Sequence, residues 1–315
     1  MARIVTAARL HEAGRPLRIE EVRLREPGPD EVTVSLSFAA LNPLDLYTAA
    51  GTVGGDAPVP RTLGVEGAGY IEGRPVLVTG EGLGITRDGT FASAVTCPRA
   101  CVVEAQRDDA LPELASMGVA GLTAWDVVTR AAEVGRRDRV LVLGAGGGVG
   151  LPIVSLAASN GAETWGQVGD PAKVTAVREA GAVEVLVGGA DYLRAEAAKL
   201  SPTVVFDPLG GLFTPAALSV LAPRGRLVSF GTSAGADVSF NLRSLYRNGQ
   251  RIVGYISTRL TTEERRASLQ EALQAFATGR LRVTVTQLMP LPRVNEAFGQ
   301  LAGRKIIGKL VLALS

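Results

Sequence analysis

Histidine and cysteine are nearly absent from this chain: one His, His11, and two Cys, Cys97 and Cys101, stand in 315 residues. Two thiols cannot build a disulfide framework, so a packed core must hold the fold, and both read as small apolar fillers. His11 reads as a surface residue. No N-terminal apolar run resembles a secretion signal, and no stretch is long enough for a membrane span, so a cytoplasmic protein is expected. An excess of either charge is lacking too. With 33 Lys plus Arg against 31 Asp plus Glu, no strong field favours nucleic acid or an anionic membrane. What remains is a small-molecule protein, large enough at 315 residues for two domains.

Glycine, by contrast, is plentiful, 38 of 315 residues, and clusters in turns between apolar runs. The most informative cluster is Arg139-Val-Leu-Val-Leu-Gly-Ala-Gly-Gly-Gly-Val-Gly150, a strand-like run ending in a glycine loop placed to open a helix. Gly144, Ala145, Gly146, Gly147, Gly148, Val149 and Gly150 are therefore candidate dinucleotide contacts. Glycine permits the tight turn and close backbone approach, and the following helix points amides at a pyrophosphate. Against the usual fingerprint the loop is a variant, Ala145-x-Gly147-x-x-Gly150, and a plain strand-helix turn is the alternative.

From Arg139 onward, β-branched runs alternate with amphipathic segments, the pattern of parallel βαβ units. Strands are expected at 139–143, 163–168, 183–187, 203–206, 226–230 and 251–256, with helices at 149–160, 172–180, 192–200 and 212–221. Six such strands match a doubly wound Rossmann sheet. Residues 1–117 instead show short strands, such as 31–38 and 76–79, between Pro- and Gly-containing turns, as in an all-β barrel-like domain. The tail returns to a helix at 262–278 and strands at 281–288 and 308–314.

Several words, in order along nearly the whole chain, resemble the medium-chain dehydrogenase/reductase superfamily in its zinc-independent, quinone-oxidoreductase-like branch. They are Ala40-Leu-Asn-Pro-Leu-Asp-Leu-Tyr47, Leu63-Gly-Val-Glu-Gly-Ala-Gly69, Val119-Ala-Gly-Leu-Thr-Ala-Trp125, the glycine loop, Phe206-Asp-Pro-Leu-Gly-Gly211, Leu221-Ala-Pro-Arg-Gly-Arg-Leu-Val-Ser-Phe-Gly231 and Gly308-Lys-Leu-Val-Leu312. The shortened segment 73–85 looks more like the acrylyl-CoA reductase neighbours. The resemblance implies a GroES-like substrate domain from residues 1–117 and 258–315, and a Rossmann NADPH-binding domain at 118–257. It also implies no metal, because the places that hold Cys, His or Glu, and Cys around catalytic zinc are here Asn42, Val65 and Val119.

Without zinc, a reduced nicotinamide would deliver hydride to a quinone or to the β-carbon of an enone, enal or enoyl thioester. The resemblance places Asn42, Asp45 and Tyr47 at the nicotinamide end. Asn42 could hold nicotinamide or substrate oxygen, and Tyr47 could donate a proton that Asp45, expected to be ionised at neutral pH, could not. The structural alternatives are that Asn42-Pro43 opens a turn and Asp45 caps the helix. Further cofactor contacts are expected at Thr123, Gly169, Lys173, Phe230, Gly231, Thr232 and Lys309. By the family pattern Val168 takes the place of the acid that reads the ribose of NAD, and Lys173 suits a 2′-phosphate, so NADPH is favoured. Asp170 lies at the spacing of a ribose-binding acid, yet Asp170-Pro171 also reads as a helix cap. Gly188 replaces the family's phosphate-binding tyrosine.

The leading expectation is thus an NADPH-dependent quinone or enone reductase. An enoyl-thioester reductase is the runner-up, although no dense Lys/Arg cluster marks a track for coenzyme A phosphates. A non-catalytic NADPH-binding protein is the third reading. The last Rossmann strand, 251–256, would leave an open edge, and the resemblance implies a homodimer paired through it.

Overall fold

The computed structural model describes residues 3–106 and 110–314. It divides into two compact units, one of Met1–Ala120, Leu260–Ala277 and Val283–Ser315, the other of Gly121–Arg259 with Thr278–Arg282. The expected α/β class, with a Rossmann sheet and a mainly antiparallel β unit, is the class observed.

In the second unit six strands, Arg139–Val142, Glu163–Val168, Glu184–Val187, Val204–Asp207, Arg226–Ser229 and Arg251–Gly254, form one parallel sheet in the order 3-2-1-4-5-6. Continuous apolar runs suit strands covered on both faces. Leu141, Val205 and Leu227 of the sheet pack with Leu193 and Leu218 of the crossover helices and with Leu200 in the turn after the first of them. The sixth strand ends at Gly254, short of the expected 256, because Tyr255 turns its phenol to Asp126. Among the described residues that strand pairs with the fifth alone, and Ile252 on it is 42% exposed.

In the first unit Glu31–Ala40 is the central strand of a seven-stranded sheet, pairing with Lys309–Ala313, Glu66–Ile71 and Ala94–Pro98. Backbones approach so closely there that a Cβ on Gly69 would fall 1.9 Å from the Ser35 carbonyl oxygen. Only glycine fits. A smaller sheet joins Ile4–Leu10 to Arg18–Arg23 and Arg61–Thr62. Phe91, Leu63, Leu36, Cys97, Cys101 and Leu312 share one core, so both cysteines are buried apolar fillers with free thiols. His11 is half-buried and pairs with Glu20. The expected strand at 281–288 is observed later, at Val285–Pro290, because Arg282 is tied to the second unit by its N–H on Ser155 Oγ at 3.0 Å.

Candidate active site

At the end of the first Rossmann strand, Gly144 turns with φ +59°, and its N–H donates to Gln167 Oε1 at 3.1 Å. Ala145 N–H donates to the Gln167 backbone carbonyl at 2.9 Å, and Gln167 Nε2 reaches the Gly188 carbonyl at 2.7 Å. The buried Gln167 side chain therefore fixes the loops after strands one and three against strand two. Gly147 N–H closes the turn on the Gly144 carbonyl at 3.0 Å, and Val149 precedes the helix Gly150–Ser159. A Cβ on Gly150 would stand 2.5 Å from that same carbonyl oxygen and 2.7 Å from Ala145 Cα. The helix can thus begin directly against the turn: Leu151 N–H reaches back to the Gly147 carbonyl at 3.2 Å, Ile153 N–H reaches the Val149 carbonyl at 3.1 Å and Pro152 has no N–H, so an anion would meet the amides of the glycine loop and of Gly150. That is an anion cradle in its chemistry.

Beyond the second strand, Val168 is buried, and a Cβ on Gly169 would meet nothing within 4 Å. Asp170 Oδ1 accepts the Ala172 N–H at 2.9 Å, capping the turn Pro171–Lys173. The Lys173 stem packs on Gly146, where a Cβ would lie 2.8 Å from its Cβ and Cδ. Burial pulls the Lys173 pKa down, against the opposing charge of Asp170. Past the fifth strand, Phe230 N–H donates to the Asp207 carbonyl at 3.1 Å, Gly231 lies against Pro208, and Thr232 stands exposed beyond them. These groups all stand at carboxyl ends of parallel strands, where ligands of open α/β sheets bind. An open glycine tip, a glycine loop running into a helix start and an adjacent lysine suit a phosphate-bearing dinucleotide.

Thr123 lies in the short helix Leu122–Asp126, flanked by π-helical turns at Met117–Gly121 and Val127–Ala131. Such turns recur at functional sites. Thr123 hydrogen-bonds the Tyr255 phenol, which in turn donates to Asp126 Oδ2 at 2.9 Å. Burial first, then the Asp126 charge, pushes the Tyr255 pKa far up. Asp126 also accepts from Arg130 at 2.8 Å.

In the first unit the helix Pro43–Ala49 starts at Asn42, whose N–H donates to Asp45 Oδ2 at 2.8 Å. Asp45 is a capping residue, 1% exposed, and its Oδ1 makes no hydrogen bond among the described residues. Burial pushes its pKa up to about 7, so it is not the fully ionised acid that sequence suggested. Asn42 Nδ2 donates to Glu66 Oε1 at 2.8 Å, and its Oδ1 accepts from Lys309 Nζ at 2.7 Å. Lys309 Nζ also donates to the Leu41 carbonyl at 2.8 Å and to Glu66 Oε1 at 3.1 Å. Glu66 Oε2 accepts the Val119 N–H at 2.7 Å. The three positions at which zinc ligands would stand are thereby joined: Glu66 bonds Asn42 and Val119, and follows Val65 in the chain. Among the described residues, no group of three or more His, Cys, Asp or Glu is arranged to hold a metal ion. Tyr47, on the same helix, is 47% exposed.

The candidates thus fall into two sets, one along the strand ends of the Rossmann unit and one around the Asn42 helix. Lys309, expected at the cofactor, spends its donors inside the second set. Gln167, Glu66 and the Tyr255–Asp126 pair were missed by sequence reasoning. For Glu66 a signal existed, a carboxylate inside the apolar and glycine-rich word Leu63–Gly69.

Residues 148–278 match the family model for zinc-binding dehydrogenases. A zinc-type alcohol dehydrogenase-like protein of Schizosaccharomyces pombe is 30% identical over 85% of this chain and 82% of its own length. Quinone oxidoreductase of Pseudomonas aeruginosa is 28% identical over 94% of this chain and 95% of its own. A phenolphthiocerol/phthiocerol polyketide synthase of Mycobacterium tuberculosis is 29% identical over 95% of this chain, which spans only 14% of that protein. A mycobacterial structure complexed with NADPH superposes with a TM-score of 0.86 at 25% identity, over 98% of this chain and 99% of its own. From its two-unit architecture, its glycine loop and these relatives, the chain belongs to the medium-chain dehydrogenase/reductase superfamily, in the quinone-oxidoreductase-like branch.

Proposed function

We propose that this oxidoreductase uses NADPH, without zinc, to reduce a quinone or an α,β-unsaturated carbonyl. The observation that carries the reading is the Glu66–Lys309–Asn42 knot, in which a buried ion pair engages Asn42, one of the three places where the resemblance puts zinc ligands, while the glycine loop is kept. The NADPH complex among its structural neighbours and the quinone oxidoreductase among its relatives support it.

The glycine-loop amides and the Gly150 helix terminus would hold the pyrophosphate, Lys173 the 2′-phosphate and Thr123 the nicotinamide end. Bound reduced nicotinamide supplies a hydride. The chain's own residues then have to orient the acceptor, exclude water and provide a proton. Asn42 has both ends of its amide engaged, so it positions the helix that carries Tyr47. Asp45 lies at the base of that helix, sealed from ligand by burial. Tyr47 is the exposed member of the trio and carries an O–H able to donate, so it is assigned as the proton donor.

Oxidation of NADPH and of NADH should be followed with quinones, simple enones and enoyl-CoA thioesters, before and after chelation. NADPH should be preferred, and chelation should leave the rate unchanged. A rate lost on chelation and restored by zinc overturns the metal-free reading, and cofactor binding without turnover on the whole panel favours a binding protein.

A further inference from the structure

The fold gathers arginines that the sequence scatters. A cavity of about 350 Å³ lies wholly in the first unit, and its lining includes Arg23, Arg25, Arg61 and Arg87 against one acid, Asp88. This is the size range of small-molecule pockets. Arg25 is neutralised by its two bonds to Glu31. Asp88 is engaged as well, accepting the Thr62 N–H at 2.8 Å and lying 3.9 Å from Arg9.

Arg61 is the residue that needs an explanation. It is 3% exposed, and its hydrogen bond runs from Nη1 to the Pro58 carbonyl at 2.9 Å. Its Nε is buried with no partner, and among the described residues no carboxylate pairs with it. Burial lowers its pKa, with the charge of Asp88 opposing. A guanidinium taken out of water without a counter-ion is costly, and buried charges are ordinarily paired. The missing partner is an anion. Arg23 and Arg87, both exposed, line the same space, so three guanidiniums without a carboxylate partner of their own among the described residues face it. One carboxylate would not use them. Apolar wall is also present, from Val5, Val22, Pro58 and Val95.

We propose that this cavity binds a phosphate-bearing small molecule of nucleotide size, with its phosphates on Arg61, Arg87 and Arg23 and its ring on the apolar wall. The chemistry is that of a phosphorylated adenosine, supplied either as the head of a coenzyme A thioester or as a free nucleotide. Arg61 precedes Glu66 by five residues, which limits their Cα separation to about 18 Å, so the head of an extended thioester could sit here while its acyl end approaches the Asn42 helix. The proposal concerns equilibrium binding and stands independently of the hydride-transfer reading.

Calorimetric titration of the full chain with 3′,5′-ADP, coenzyme A, ADP and inorganic phosphate tests it, in the parent, Arg61→Gln, Arg87→Gln and Lys173→Ala. We expect 3′,5′-ADP to bind, both arginine variants to weaken it at least about tenfold, as loss of a charge-assisted bond does, and Lys173→Ala to leave it intact. A thermal midpoint raised by 3′,5′-ADP in the parent should not rise in Arg61→Gln. Should Arg61→Gln fail to fold, the exposed Arg87→Gln decides. Coenzyme A binding as tightly as 3′,5′-ADP assigns the thioester source, and markedly weaker binding assigns the free nucleotide. No binding at millimolar concentration, or binding lost only in Lys173→Ala, overturns the site.

Discussion

Replacing Asp45 with Asn should stabilise the first unit at alkaline pH and do nothing in acid. The Asp45 pKa moves from an ordinary 3.8 to about 7, chiefly through burial, with the Asn42 N–H and the Lys309 charge opposing. Between these values the folded state holds more protons than the unfolded state, so stability falls as pH rises through the window. At ~1.36 kcal/mol per unit, ~3 units give a penalty of up to about 4 kcal/mol, complete above pH ~7 and absent below pH ~4. Asn keeps an acceptor for the Asn42 N–H, and it resembles the protonated acid in having no charge. Asp45→Asn should therefore match the parent near pH 4 and exceed it by as much as about 4 kcal/mol at pH 8. Both tryptophans, Trp125 and Trp165, lie in the second unit, so fluorescence would report the wrong part of the molecule. Native-state hydrogen exchange in residues 36–50, measured across this pH range, reads the first unit. Parallel pH profiles for parent and variant would refute the reasoning.

Lys173→Ala should weaken NADPH at least about tenfold while sparing NADH, as loss of one charge-assisted contact predicts, and unchanged NADPH affinity by calorimetry would promote Asp170 to ribose reader. Tyr47→Phe should lower kcat with enones by about 10²-fold or less, since water can replace a general acid, with NADPH affinity kept; full activity would leave Tyr47 only shaping the pocket. We propose that the chain dimerises through the open edge of Arg251–Gly254; Arg251 and Tyr255 N–H donate to the fifth strand, so Ile252 N–H faces the open side, and Ile252→Pro, which removes that edge donor, should shift a dimer toward monomer in analytical ultracentrifugation. A parent monomeric at micromolar concentration contradicts this.

The Rossmann half was legible because its strands are short apolar runs punctuated by glycine, and the period of each segment shows in the letters. The strand pair Ile4–Leu10 and Arg18–Arg23 was not read, since the second strand, Arg-Ile-Glu-Glu-Val-Arg, is charged and largely exposed and offers little apolar alternation. Helix Leu242–Arg247 was likewise missed, being one short turn-and-a-half with no buried residue. In the site, the capping role of Asp45 follows from its spacing to Asn42, a local relation. Its pKa does not, because burial comes from the packing of distant segments. Glu66 and Lys309 are 243 residues apart, so their pairing is invisible until the sheet joins Lys309–Ala313 to Glu31–Ala40. Arg23, Arg61 and Arg87 meet for the same reason. A linear search for a dense basic cluster finds none, whereas the fold makes one.

Hydride transfer itself is the most direct test of the account. The protein should be incubated with an α,β-unsaturated ketone and NADPH carrying deuterium at the transferring position of the nicotinamide ring, and the product analysed by NMR and mass spectrometry. One deuterium at the β-carbon, with the α-proton drawn from solvent, is the predicted result. A saturated ketone without deuterium at that carbon, or NADPH bound but never consumed with any enone or quinone, would contradict the assignment.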